Sequence, residues 1–360
     1  MEDFARPEAA MTRLFAAFAA LMALPAPSLA QISDPAAVLR QNNVPSVSFA
    51  LIRGGRIIRT EALGEQSPGV QATSATLYNI ASLTKPLTAE IILRLASAAG
   101  TFGLDDPMYP AFVDPDIAAD PRNRLLTPRL ALTHQTGFPN WRGKDGLKFL
   151  RDPGTGYGYS GEGYQYIAHF AEKKTGQSFE VLADQYLFQP DRLQNTSYVS
   201  QSWFEGHIAT PTGGDGNALK PNIAQHFIAA DLVYTTAGDY ARFMLSVLKD
   251  EGMSKAIASD RIRIQLSQKN SDCQGAKVAS CPTDVGPGLG WQVMAFPGHT
   301  ILMHTGKDPG LFTFAYLDKT TGDGAVILTN GEHGDKIVLP LLERYGAAPT
   351  FLAYLRDRAS

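Results

Sequence analysis

The pattern of apolar and polar positions divides the chain into a β-rich beginning, a loop-rich and helical middle, and a β-rich end. Residues 46–52 and 56–60 are two β-rich runs separated by Gly54-Gly55, which predicts a hairpin. Leu87, Ile91, Ile92 and Leu95 recur at helical spacing and predict a helix over about 84–99. Pro86 falls in its first turn, where a missing backbone donor does no harm. From Asp105 onward, Pro107, Pro110, Pro115 and Pro121 punctuate a stretch of loops, followed by helical patterns near 125–133, 162–174, 178–187 and 237–250. Beyond Gly288 the chain turns β-rich again at 292–296, 300–304, 311–317 and 325–329, and a helix at about 335–345 closes it. Strands at both ends with helices between them predict an α/β (α+β) fold. The sheet domain would take residues 31–104 and 286–360, with 105–285 inserted as a mainly helical lobe. A cleft between two lobes is a common place for a small-molecule site.

Composition adds little to this picture but removes some functions. The 360 residues are 44% hydrophobic with a formal net charge of -3, enough for a large core, and they carry no basic footprint for nucleic acid. Residues 1–30 form a leader region. Within it 11–30 reads as a signal peptide: Thr12-Arg13 brings the positive charge, 14–24 is a short apolar run, and Ser28-Leu29-Ala30 ends in small residues. Cleavage after Ala30, with Met11 as the true start, would export the protein to the periplasm or the medium. The run is short for a spanning helix, so stable membrane insertion is not expected, although an uncleaved anchor is the alternative. Cys273 and Cys281 lie in a polar stretch, where an exported chain favours a surface disulfide over two free thiols. Neither has a histidine at metal-ligand spacing.

Candidate chemistry begins at residues 78–89. Ser82 is delivered to the start of the predicted helix, and Lys85 lies three residues on, on the same face. A serine hydroxyl needs a neighbour to take its proton, and a desolvated lysine can do so. Ser246-Val247-Leu248-Lys249 repeats the spacing inside a helical pattern with no loop before it, and reads as coincidence. Residues 154–164 form a glycine-dense loop presenting Tyr159. That side chain is either a packed aromatic or, beside a lysine cation, a phenol of depressed pKa able to shuttle protons. His304-Thr305-Gly306 ends a β-run, where the backbone can offer donors and glycine admits a substrate closely. Lys174-Thr175-Gly176 looks similar, but helix termination explains it.

Taken together and in order, Ser82-Leu83-Thr84-Lys85, Tyr159-Ser160-Gly161 and His304-Thr305-Gly306 resemble the three motifs of the penicillin-recognising serine hydrolases. The tyrosine resembles the branch holding class C β-lactamases, DD-peptidases and family VIII carboxylesterases. Leu132-Thr133-His134-Gln135-Thr136-Gly137-Phe138-Pro139, Thr235-Thr236-Ala237-Gly238-Asp239 and Gly288-Leu289-Gly290-Trp291 look like further landmarks of that family. The resemblance implies a β-lactamase/transpeptidase-like fold, an antiparallel sheet flanked by helices. It also implies an acyl-enzyme on Ser82, proton exchange through Lys85 and Tyr159, and an oxyanion hole from the backbone of Ser82 and Lys307. His304 would support Tyr159 and the substrate. No metal or organic cofactor is implied, and the partner is a small-molecule ester, amide or peptidoglycan-derived substrate.

Two departures bear on substrate. Gly161 stands where the family usually has Asn, and His304 where class C β-lactamases have lysine; both weaken the expectation of antibiotic hydrolysis. Lys307 would restore a cation for a substrate carboxylate if it faces the cleft, whereas Glu162 would favour an amine. Two rival readings follow from the sequence. One is a catalytically silent receptor or sensor using the cleft. The other is an α/β-hydrolase with Ser160 as nucleophile, although Gly158-Tyr159-Ser160-Gly161-Glu162 lacks the final glycine of that motif.

Overall fold

The computed structural model describes residues 34–98 and 100–359. The predicted leader lies outside them. Ten strands appear in chain order: β1 (Ser46–Arg53), β2 (Arg56–Ser67), β3 (Val70–Gln71), β4 (Tyr78–Asn79), β5 (Tyr234–Thr235), β6 (Asp284–Pro287), β7 (Gln292–Phe296), β8 (His299–Asp308), β9 (Leu311–Asp318) and β10 (Gly324–Thr329). Eight of them form one antiparallel sheet in the order β3-β2-β1-β10-β9-β8-β7-β6, and β4 pairs with β5 separately. The first long strand and the last therefore lie side by side, with Phe49 opposite Ile327. The sheet is assembled from 46–71 and 284–329, while the chain between contributes helices, loops and the two short strands.

Side chains alternate across a strand, so a sheet covered on both faces must feed two cores. Val47, Phe49 and Leu51 of β1 pack with Ile327, Phe314 and the helices Asp335–Tyr345 and Pro349–Ala359. Ala50 and Ile52 face the other way, into the larger core with Leu87, Ile91 and Val247. That second core holds the Thr84–Ser97 helix, in which every residue from Thr84 to Leu95 is buried. A helix buried all round must satisfy its own charges: Glu90 is paired by Arg261 at 2.8 Å, and Arg94 by Asp191 at 2.9 Å. The helix is consequently a rigid post in the core, and it carries Lys85 near one end.

Differences from the sequence reading lie in elements it did not predict and in the ends of others, β2 running on to Ser67. The Pro35–Gln41, Lys255–Arg261 and Pro349–Ala359 helices and strand β6 were not predicted, nor was the β4–β5 pair. A two-residue strand has no periodicity to read. The helix expected at 178–187 runs as Phe179–Ala183, then a π-helical turn at Asp184–Phe188, then Gln189–Asp191. Cys273 and Cys281 are joined by a disulfide, and both are half-buried rather than fully on the surface. Among the described residues no helix is long and apolar enough to cross a membrane.

Candidate active site

Ser82 lies in a 3-10 turn, Ala81–Leu83, that runs directly into the Thr84–Ser97 helix. Ala81 is held at φ 45, a left-handed conformation rarely adopted by residues other than glycine. The bonds that hold it come from four elements. Ala81 N donates to Asn79 Oδ1 (2.8 Å), Ile80 N to Val233 O (2.9 Å), Thr313 Oγ1 to Ile80 O (2.8 Å), and Tyr240 OH to Leu83 O (3.1 Å). Strand β8 passes so close that a Cβ at Gly306 would come within 2.3 Å of Ile80 O and 3.0 Å of Ser82 N. Only glycine admits this approach, and it places the backbone of Lys307 beside Ser82.

Lys85 donates to Ser82 Oγ and to Ala230 O, both at 2.9 Å. Burial pulls its ammonium down to about 7, against the opposing pull of Asp231 and then Asp308. Its Nζ also stands 4.6 Å from the centre of the Tyr159 ring. Ser82, Tyr159, His304, Thr305 and Lys307 all line one cavity of about 380 Å³. The alcohol is half-buried, so it is open to a substrate.

The depressed phenol predicted for Tyr159 is reversed. Burial raises its pKa well above the ordinary value, and hydrogen bonding to Ser82 only partly opposes this. The physical reason is that burial of the phenol makes a phenolate costly, by more than hydrogen bonding to Ser82 offsets, and the nearby Tyr157 and Asp231 add to the cost. Tyr159 is thus a protonated donor. His304 is neutral as well, pushed to about 3 by burial and then by the charge of Lys85. Its Nδ1 donates to Thr305 O at 2.7 Å, which leaves Nε2 as an acceptor.

His134, quoted above only as part of a landmark, belongs to the site. Its Nδ1 accepts from Ser160 N at 3.0 Å, its backbone is left-handed at φ 59, and its ring lies 4.5 Å from that of Tyr159 and 5.2 Å from Tyr164. Burial holds it neutral. It braces the Tyr159 ring from the side, and no spacing in the sequence announced that contact. Asp231 and Asp308, both acting on Lys85, were missed for the same reason.

Three sequence alternatives are resolved by contacts. Ser160 is fully buried and caps the Gly161–Thr175 helix, donating to Pro139 O (2.8 Å) and accepting from Gly163 N (3.0 Å), so its hydroxyl is occupied. Ser246 is buried beside Arg94, while Lys249 points to Glu251. Gly176 ends its helix in the left-handed conformation, as the capping reading of Lys174-Thr175-Gly176 required.

Glu162, expected to favour an amine, is not free to do so. It is buried and its carboxylate is taken by Arg142, through the backbone N (3.0 Å), Nε (3.0 Å) and Nη2 (2.8 Å). That grip fastens residues 139–142 over the helix start, and this explains Gly161. A Cβ there would meet Trp141 Cη2 at 2.9 Å and Asn140 O at 3.0 Å, and Asn140 O already accepts from Gly161 N and Glu162 N. Restoring the family residue should therefore do harm. Gly161→Asn is expected to destabilise the fold by about 1–3 kcal/mol through overpacking, read by urea unfolding, and to lower any nitrocefin turnover. Unchanged stability with gained turnover would contradict this packing argument.

A hydroxyl, an amine and a phenol meeting in a cavity beside a strand that offers backbone donors, on an antiparallel sheet flanked by helices, define a serine-hydrolase type of site on a β-lactamase/transpeptidase-like fold. The comparisons agree: the family model described as Beta-lactamase matches residues 13–347, and the chain belongs to that family. The chain is 24% identical over 295 residues to the D-alanyl-D-alanine-carboxypeptidase/endopeptidase AmpH of Escherichia coli K12, covering 74% of each. It is 28% identical over 197 residues to Esterase EstB of Burkholderia gladioli, covering 45% of this chain and 49% of that one. The octameric penicillin-binding protein homologue from Pyrococcus abyssi superposes with a TM-score of 0.72 at 18% identity, covering 89% of this chain and 78% of the other.

Proposed function

We propose that the protein is an exported serine hydrolase that forms an acyl-enzyme on Ser82 and acts on small esters or amides. The observation that carries this reading is the 2.9 Å contact between Lys85 Nζ and Ser82 Oγ in an open cavity, with the lysine poised near neutrality. In the fraction with neutral Lys85, the amine takes the Ser82 proton as the oxygen attacks the carbonyl carbon. The charge that develops on the carbonyl oxygen is met by the backbone N–H groups of Ser82 and Lys307, each worth about 3 kcal/mol at the transition state. Tyr159, protonated and lining the same cavity as Ser82, hands its proton to the leaving group and is resupplied from Lys85. Water then enters the vacated side of the cavity and releases the acyl group by the reverse sequence.

Inside the cavity His304 is neutral, Glu162 is consumed by Arg142 and Gly161 offers no side-chain amide, which favours simple esters over β-lactams; the exposed Lys307 at the cavity mouth works the other way, toward a substrate carboxylate. A panel of p-nitrophenyl esters, D-amino-acid amides and nitrocefin tests this. Simple esters are expected to turn over fastest and nitrocefin slowest. Nitrocefin as the best substrate would overturn the ranking, and no turnover of any would leave the cleft as a receptor. Export follows from residues 11–30 and is tested by fractionating cells that express the full chain.

A further inference from the structure

Trp141 takes no part in the acyl transfer, and it is 44% exposed although it is one of the largest apolar side chains of the protein. Exposed apolar residues scattered singly, such as Ile58 and Val181, need no explanation. Trp141 differs in being held, and in where it is held. Before it, Pro139 O accepts from Ser160 Oγ (2.8 Å), and Asn140 receives Gly161 N on its side-chain oxygen (2.9 Å) and Glu162 N on its backbone oxygen (3.1 Å). After it, Arg142 is bound to Glu162 through its backbone N and its guanidinium, and to Asp114 at 2.9 Å. The chain is therefore tied to the start of the Gly161–Thr175 helix on both sides of the ring. The outer edge of the six-membered ring lies over Gly161, with Cη2 at 2.9 Å and Cζ3 at 3.0 Å from where a Cβ would stand. Gly161 comes two residues after Tyr159, and Asn140 lines the cavity together with Ser82 and Tyr159. The ring thus borders the cavity.

We propose that Trp141 is a specificity-determining residue, an apolar shelf at the cavity mouth that receives an aromatic ring carried by the substrate, so that aryl-bearing esters are preferred over alkyl ones. This deepens the hydrolase reading of the cleft and rests on it for the bond that is cut. A tryptophan offers a large rigid surface at the cost of ordering only two torsions, and ring against ring gains more than the buried area alone. The loop behind the shelf is aromatic as well, since Tyr157, Tyr159 and Tyr164 all line the cavity. Arg142 adds no free charge to this lip, because Glu162 and Asp114 hold its guanidinium. Gly161 is what allows the ring to lie there, as any side chain at that position would push it away.

The test uses two pairs of esters, with the ring on the acyl side (methyl phenylacetate against methyl butanoate) or on the alcohol side (benzyl acetate against butyl acetate). The readout is the ratio of kcat/KM within each pair. In the wild type at least one ratio should favour the aryl ester by about tenfold, and Trp141→Ala should remove most of that preference. Trp141→Phe, which keeps a ring, should retain it. The pair that responds tells which side of the ester meets the shelf. Should Trp141→Ala fail to fold, Trp141→Gln takes its place, with a polar chain over Gly161 instead of a ring. No aryl preference in the wild type, or a variant that slows both members of a pair alike and leaves the ratios unmoved, would overturn the proposal. Hydrolysis of none of the four esters would instead count against the hydrolase reading. The wild type would then be titrated with the same esters by calorimetry: tighter binding of an aryl ester that is lost in the variant supports the shelf, and equal binding of aryl and alkyl esters overturns it.

Discussion

Ser82→Ala is expected to reduce hydrolysis of the best ester by about 10³-fold or more, since removing a nucleophile that works as one unit with its base forfeits most of the gain from the whole unit. The fold should not suffer. Ser82 is half-buried, and the turn that carries it is held by backbone bonds from Ala81, Ile80 and Leu83 to Asn79, Val233, Thr313 and Tyr240, none of which uses the Ser82 hydroxyl. The loss should therefore appear in kcat with unaltered thermal unfolding. Activity retained within tenfold would mean that another residue attacks the substrate. Ser160 is a poor substitute, because its hydroxyl is spent on Pro139 and Gly163.

The second large effect concerns Lys85. Its pKa is depressed to about 7, so the catalytically useful neutral form is scarce at pH 5 and dominant above pH 8. The kcat/KM profile should rise through an acid limb centred near 7 as the lysine loses its proton, and the limb should follow Lys85 when its surroundings are changed. Lys85→Arg keeps a cation but cannot release a proton in this range. It is expected to cost about 10³-fold at pH 7 and to abolish the acid limb, as proton transfer by a positioned base contributes about 10²–10⁴. Lys85→Met, which fills the same buried space with an apolar chain, should lose as much. A wild-type profile flat from pH 5 to 9 would show that lysine deprotonation does not govern the reaction.

Much of this architecture was legible in the residues because the relevant signals are local. Ser82 and Lys85 share a helix face, and Leu87, Ile91, Ile92 and Leu95 mark the helix that fixes it. The central strands β1 and β10 are long apolar runs because both of their faces are covered, as the split of Val47, Phe49 and Leu51 from Ala50 and Ile52 shows. What escaped was set by tertiary contact or depth. Whether Tyr159 is acidified or not depends on how deeply it is itself buried, and pattern does not report depth. Glu162 read as an available anion because Arg142, twenty residues away, could not be seen gripping it. His134 and Asp231 sit far from the three motifs in sequence and next to them in space, while nothing in the pattern showed that Asp308, just past the third motif, acts on Lys85. Gly161 read as a lost contact, whereas it makes room for Trp141 and the backbone of Asn140.

The convergence of Ser82, Lys85 and Tyr159 is tested most directly by reacting the protein with a p-nitrophenyl phosphonate at pH 8 and mapping the adduct by peptide mass spectrometry. The account predicts a single stoichiometric adduct on the peptide containing Ser82, absent from Ser82→Ala and slowed in Lys85→Arg. An adduct on Ser160, or none on a folded protein, would contradict it.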